Sequence, residues 1–143
     1  MSSFLSSRAP EPVGPYPHAR RVGPLLFLSG VGPRRRGGGS IPGVTLAADG
    51  SVAAVDIEAQ CRSCFENIRC ILEDAGASWN DIVDVTSYLV NMKRDFATYN
   101  RVYAEWFAGD GKPNPTRTTV EIGALPTPIA VELKVIAYLG DRG

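Results

Sequence analysis

Arg117 and Glu132 offer this chain its most useful pair of reactive side chains. An arginine presents a planar fork of donors that matches a carboxylate. A glutamate can hold a water and take its proton. Together they suit hydrolysis of a carboxylate-bearing substrate without a metal, provided each sits on a rigid element. Composition alone favours a plainer reading, two opposite charges pairing across strands on a sheet face. The pattern leaves open whether the two share a cleft.

The other candidates are weaker. Cys61 and Cys64 have the spacing of half a metal site, but His18 is the only histidine and no second cysteine pair exists. A four-ligand zinc site therefore lacks partners, and both thiols are expected to pack in a core. Cys70 falls off that face and carries no mark of a nucleophile. His18 adjoins no serine or cysteine motif that would make it a base. The run Arg34-Arg35-Arg36-Gly37-Gly38-Gly39 lacks the Gly-Lys-Ser/Thr ending of a phosphate loop. It reads either as a solvated loop or as a mobile clamp for a carboxylate, with Arg35 the expected contact.

These residues need elements to position them. Residues 1–15 contain Ser, Pro and Gly without apolar periodicity, which predicts an extended arm before a domain spanning 16–143. Leu25 to Leu28, closed by Ser29 and Gly30, reads as a buried strand entering a turn. From Asp56 to Ala75, Ile57, Cys61, Cys64, Phe65, Ile68, Ile71 and Leu72 recur at helical spacing, with Gly76 to end the helix. Ile82 to Val90 is β-branched and reads as a strand. A second helix is expected to open at Asp95, with Phe96, Tyr99, Val102, Tyr103, Trp106 and Phe107 as its buried stripe.

Two further strands are expected at 117–122 and 130–138. In the first, Arg117, Thr119 and Glu121 alternate with Thr118, Val120 and Ile122; in the second, Val131, Leu133, Val135 and Ala137 form an apolar face. The order implies an α/β (α+β) domain, a mixed sheet with two main helices packed on one face. The other face, expected to carry Arg117, Glu121, Glu132 and Lys134, is left for water or another subunit.

Composition narrows the function classes. The 143 residues are 44% hydrophobic and 21% charged, ordinary for a globular domain. Fifteen basic residues balance fifteen acidic ones, so no overall field argues for nucleic acid or a membrane surface. Residues 1–40 nevertheless hold six arginines against Glu11 alone, a setting for a small anion. No apolar run has membrane-span length and no secretory leader pattern opens the chain, so a cytoplasmic location is expected. Three cysteines do not form a secreted disulfide framework.

The segment Asn114-Pro115-Thr116-Arg117-Thr118-Thr119-Val120-Glu121, with Leu125-Pro126 and Val131-Glu132-Leu133, resembles the signature of the Rid (YjgF) family of enamine and imine deaminases. Gly14-Pro15-Tyr16, Phe27-Leu28-Ser29-Gly30, Asn67-Ile68 and Phe96-Ala97-Thr98-Tyr99-Asn100 follow the same family in order. The resemblance implies a chorismate-mutase-like fold in a homotrimer with intersubunit sites and no cofactor. It also implies that Arg117 binds the substrate carboxylate, that Glu132 positions the hydrolytic water, and that Tyr16, Ser29, Gly30, Asn100 and Thr119 line the site.

Within the family, Tyr16-Pro17-His18, the paired arginines before Ile41-Pro42-Gly43-Val44, Leu89-Val90-Asn91-Met92 and Lys134-Val135-Ile136-Ala137-Tyr138 are most similar to bacterial 2-aminomuconate deaminases. That subgroup implies a dicarboxylate enamine as substrate. Three alternatives remain: a general deaminase of 2-aminoacrylate and small imines, a ligand-binding regulatory trimer without turnover, and an RNA-processing protein, against which the neutral charge weighs.

Overall fold

Asp56 sets where the first long helix begins. Its side chain accepts a hydrogen bond from Ala59 N, capping α1 (Ile57–Asp74). The helix ends at Ala75, with Gly76 following at a φ of 84°. The apolar positions expected of its inner face, Cys61, Cys64, Phe65, Ile68 and Leu72 among them, are fully buried. These features belong to a computed structural model, which describes residues 2–142.

Eight strands accompany the helices: β1 (Ser2–Phe4), β2 (Ala19–Val22), β3 (Leu25–Leu28), β4 (Val44–Leu46), β5 (Val52–Val55), β6 (Ile82–Leu89), β7 (Thr116–Glu121) and β8 (Val131–Tyr138). Six form one sheet in the order β1-β2-β3-β8-β6-β7, while β4 and β5 pair separately as a hairpin. The large sheet is mixed, because β7 runs parallel to β6 and every other neighbour is antiparallel.

The second helix, α2 (Met92–Phe107), begins three residues before the expected Asp95. Asn91 is the cap, accepting from Arg94 N, and Glu121 accepts a hydrogen bond from Met92 N. Asp95 lies inside the first turn, buried and ion-paired with Arg94. Phe65 of α1 meets Phe107 and Trp106 of α2 edge-on, with ring centroids 5.2 and 5.6 Å apart. Trp79, in a short 3₁₀ turn before β6, closes the same cluster.

The first fifteen residues, expected as an extended arm, are tied to the sheet and to α1. Ser2–Phe4 adds an edge strand to the sheet, and Ala9 is wholly buried. Ser6 Oγ donates to Asp74 at 2.6 Å, and Arg8 binds Asp74 and Glu73 at the end of α1. His18 completes the attachment: its Nδ1 accepts from Ser6 N at 2.8 Å and its Nε2 donates to Pro10 O at 2.7 Å. The contacts to α1 join residues 65–68 positions apart, so apolar periodicity within the segment carried no sign of them.

Candidate active site

Register decides where the two charged candidates go. Strand β6 lies between β7 and β8, and Val85 pairs with Arg117 on one side and Val135 on the other. Paired residues project to the same side of a sheet. Arg117, Thr119 and Glu121 therefore share the helix-covered face with Val85, Ser87, Val131, Leu133 and Val135. Tyr88 pairs with Glu132 and Thr86 with Lys134, placing both charges on the opposite face. The expectation that Arg117, Glu121, Glu132 and Lys134 lie together is thus corrected. Within one chain, Arg117 and Glu132 occupy opposite faces of the sheet.

On the helix side, Arg117 sits in an aromatic cage. Its Cζ lies 4.6 Å from the ring centre of Tyr103, 5.3 Å from Tyr99 and 5.9 Å from Phe96. These rings come from successive turns of α2, and their π faces favour a cation. Nη1 donates to Asn100 Oδ1 at 2.8 Å, and no carboxylate among the described residues lies within ion-pairing distance. Burial pushes the Tyr103 phenol up to about 12, so it stays neutral. The hydroxyls of Tyr103 and Thr119 are buried without a hydrogen-bond partner among the described residues. Tyr99 and Ser87 share a hydrogen bond behind them. This arrangement holds a guanidinium rigidly, with donors left over for an anion.

On the other face, Glu132 borders a small cleft of about 110 Å³ lined also by Tyr16, Gly30, Gly32, Arg34, Thr127 and Ile129. No protein donor among the described residues satisfies its carboxylate. Burial holds the Glu132 carboxyl above the usual carboxylate range, and the positive charge of Arg34 partly opposes that rise. Gly30 leaves room for the Glu132 carboxylate: a Cβ there would lie 2.5 Å from Glu132 Oε2, and the side chain would have to shift. Lys134 donates to Leu28 O, and its ammonium is held below its ordinary range by burial.

The expected site residues thus fall into two groups. Arg117, Asn100 and Thr119 assemble under α2, and Glu132, Tyr16 and Gly30 assemble across the sheet. Ser29 stands at the edge of the second group, with its hydroxyl donating to Pro17 O at 2.8 Å. Arg35, expected as the loop contact, is exposed and outside the cleft; Arg34 lines it instead. The aromatic cage had a signal in the sequence, since Phe96, Tyr99 and Tyr103 recur at helical spacing, but that spacing equally describes core packing.

Two other candidates are occupied structurally. Cys64 Sγ donates to Val31 O at 3.1 Å, and burial pushes the Cys61 thiol up to about 12, so both stay protonated. No cluster of three or more His, Cys, Asp or Glu residues suited to a metal exists among the described residues. No helix there is long and apolar enough to cross a membrane.

Residues 6–139 match the family described as endoribonuclease L-PSP. A RutC family protein of Pyrococcus abyssi is 41% identical over 135 residues, covering 94% of both chains. The chain belongs to the Rid (YjgF, RutC) family. Among Rid proteins, TdcF of Escherichia coli bears the name of a reactive intermediate deaminase and is 33% identical over 132 residues, 92% of each chain. The structure of TdcF with bound serine superposes with a TM-score of 0.81 at 31% identity, covering 96% of this chain and 98% of that one. The Escherichia coli YjgF structure gives the same TM-score at 29% identity, over 96% and 98%. The mixed sheet with two helices on one face is the Rid fold.

Proposed function

We propose that this Rid protein hydrolyses a carboxylate-bearing enamine or imine, most specifically 2-aminomuconate, to the oxo acid and ammonia. The observation that carries the reading is the pair of unsatisfied charges, a caged guanidinium at Arg117 and a half-buried carboxylate at Glu132, on opposite faces of one sheet. Opposite faces cannot serve one small substrate within a single chain. A ring of three subunits, each presenting its Arg117 edge to the Glu132 face of the next, would bring the two groups together. In support, the uncovered sheet face exposes Val22, Val120 and Tyr138, apolar surface suited to a neighbouring subunit.

The chemistry follows from the two groups. The enamine gains a proton at carbon and loses one from nitrogen, becoming the imine. Glu132 takes a proton from water as the oxygen bonds to the imine carbon, and the nitrogen is protonated. A second proton moves from the new hydroxyl to the nitrogen, the carbon–nitrogen bond breaks with its electron pair leaving on ammonia, and the carbonyl forms. From 2-aminomuconate the product is 4-oxalocrotonate or its enol. Arg117 orients the carboxylate next to the reacting carbon, and general-base help from Glu132 is worth about 10²–10⁴ in rate.

Arg117→Ala and Glu132→Gln should each lower ammonia release at least about tenfold while leaving the oligomer intact. Ammonia release persisting at the wild-type rate in both variants would put the reaction elsewhere.

A further inference from the structure

The arginine run that the chemistry above does not use divides sharply in three dimensions. Arg36 is committed to the N-terminal segment: it donates to Ser6 O and Ala9 O and pairs with the Glu11 carboxylate at 3.3 Å. Arg35 is exposed beside three glycines at positive φ. Arg34 differs from both. It lines the Glu132 cleft together with Tyr16, Gly30 and Gly32.

The backbone carrying Arg34 is held firmly. Asn67 Nδ2 of α1 donates to Gly32 O at 2.9 Å and to Arg34 O at 2.7 Å, and Ser63 Oγ donates to Pro33 O at 2.8 Å. The guanidinium is oriented by one bond, Nη2 to Glu11 O at 2.8 Å. Its Nε and Nη1 have no partner among the described residues, and it stays beyond ion-pairing distance of Glu132. A fixed cation with free donors beside an unpaired acid is an anion subsite on a rigid frame, a better clamp than a mobile loop.

We infer that Arg34 binds a second carboxylate of the substrate, making it the residue that selects dicarboxylates over monocarboxylates. The inference rests on the proposed carboxylate-enamine reading, in which Arg117 takes the first carboxylate. The second negative charge would otherwise approach Glu132 with nothing to offset it. Arg34 meets that need from the same wall of the cleft.

The test uses unreactive probes, so that it does not depend on turnover. Muconate and sorbate share a six-carbon diene and differ in the second carboxylate. Calorimetric titration of the full-length wild type should show muconate bound about 10–100-fold more tightly than sorbate, the range for a hydrogen bond to a charged group. Arg34→Ala and Arg34→Gln should bring the two within about threefold of each other by weakening muconate alone. Unchanged sorbate affinity reports an intact fold, and Arg35→Ala should keep the wild-type preference.

A wild type without preference, or Arg34 variants that weaken both probes equally, would overturn the subsite. The second result would make Arg34 a support for Glu132 instead. If the preference collapses as expected but no enamine releases ammonia, the subsite stands and the deaminase reading falls.

Discussion

If Arg117 of one subunit works with Glu132 of another, two dead variants should repair each other when mixed. Within one chain the register keeps the two groups apart, since Val85 joins Arg117 to the Val135 face of the sheet while Tyr88 joins Glu132 to the other. Arg117→Ala removes a charged donor to the carboxylate, about 1.5–3 kcal/mol, or roughly 10–150-fold. Glu132→Gln removes the base, about 10²–10⁴-fold. In a ring, each site draws Arg117 from one subunit and Glu132 from its neighbour. After coexpression at equal levels, a site is whole only when the first subunit carries Glu132→Gln and the second Arg117→Ala. Random assembly makes that about one site in four. Ammonia release from the mixture should therefore recover to about a quarter of wild type, with native mass spectrometry verifying mixed oligomers. Recovery no higher than the single variants, in oligomers shown to be mixed, would refute the shared site.

Other consequences follow from individual contacts. Glu132 is held above the usual carboxylate range, so its ionised form opposes folding: any stability it adds is present at low pH and lost as pH rises through its folded value. Glu132→Gln should thus melt higher than wild type at neutral pH, with the gap closing on acidification; thermal scans at pH 4 and 7 check this. The acid limb of kcat/KM should lie above the usual carboxylate range and move further up in Arg34→Ala, because Arg34 favours the ionised acid. Gly30→Ala would set a Cβ 2.5 Å from Glu132 Oε2, so it should displace the carboxylate and lower kcat about 10²-fold, with near-normal melting. Gly43→Ala should instead cost stability, at least about 1–3 kcal/mol by denaturant titration, since φ is 74° and a Cβ would lie 2.4 Å from Asp56 O.

Much of this architecture was legible in the sequence because it rests on periodicity. The α1 stripe from Ile57 to Leu72 and the alternation of β8 are both signatures of one apolar face, and both elements fall where expected. The alternation of β7 was also legible, in that Arg117, Thr119 and Glu121 share a side. Its orientation was not. Thr118, Val120 and Ile122 looked like the inward set by hydropathy, yet Thr118 and Val120 are exposed, and Arg117 points under α2. A cage of aromatic faces lets an arginine occupy a position that hydropathy assigns to an aliphatic residue. The β4–β5 hairpin was missed because most of its side chains are exposed and show no apolar alternation.

The candidate site shows the same division. Motif resemblance supplied Arg117, Glu132, Asn100 and Tyr16, but their partition between two faces depends on which strand lies between β7 and β8, and no local pattern encodes that. Arg34, Arg35 and Arg36 are chemically identical neighbours. Only the tertiary bonds from Asn67, Glu11 and the N-terminal segment distinguish them.

Hydrolysis of a carboxylate-bearing enamine, with a preference for two carboxylates, would be read from ammonia release. The purified wild type would be compared on enzymatically generated 2-aminomuconate and 2-aminoacrylate. Release above the spontaneous rate is expected from both, with the higher kcat/KM for 2-aminomuconate. Release from neither, at a sensitivity that detects the spontaneous background, would contradict it.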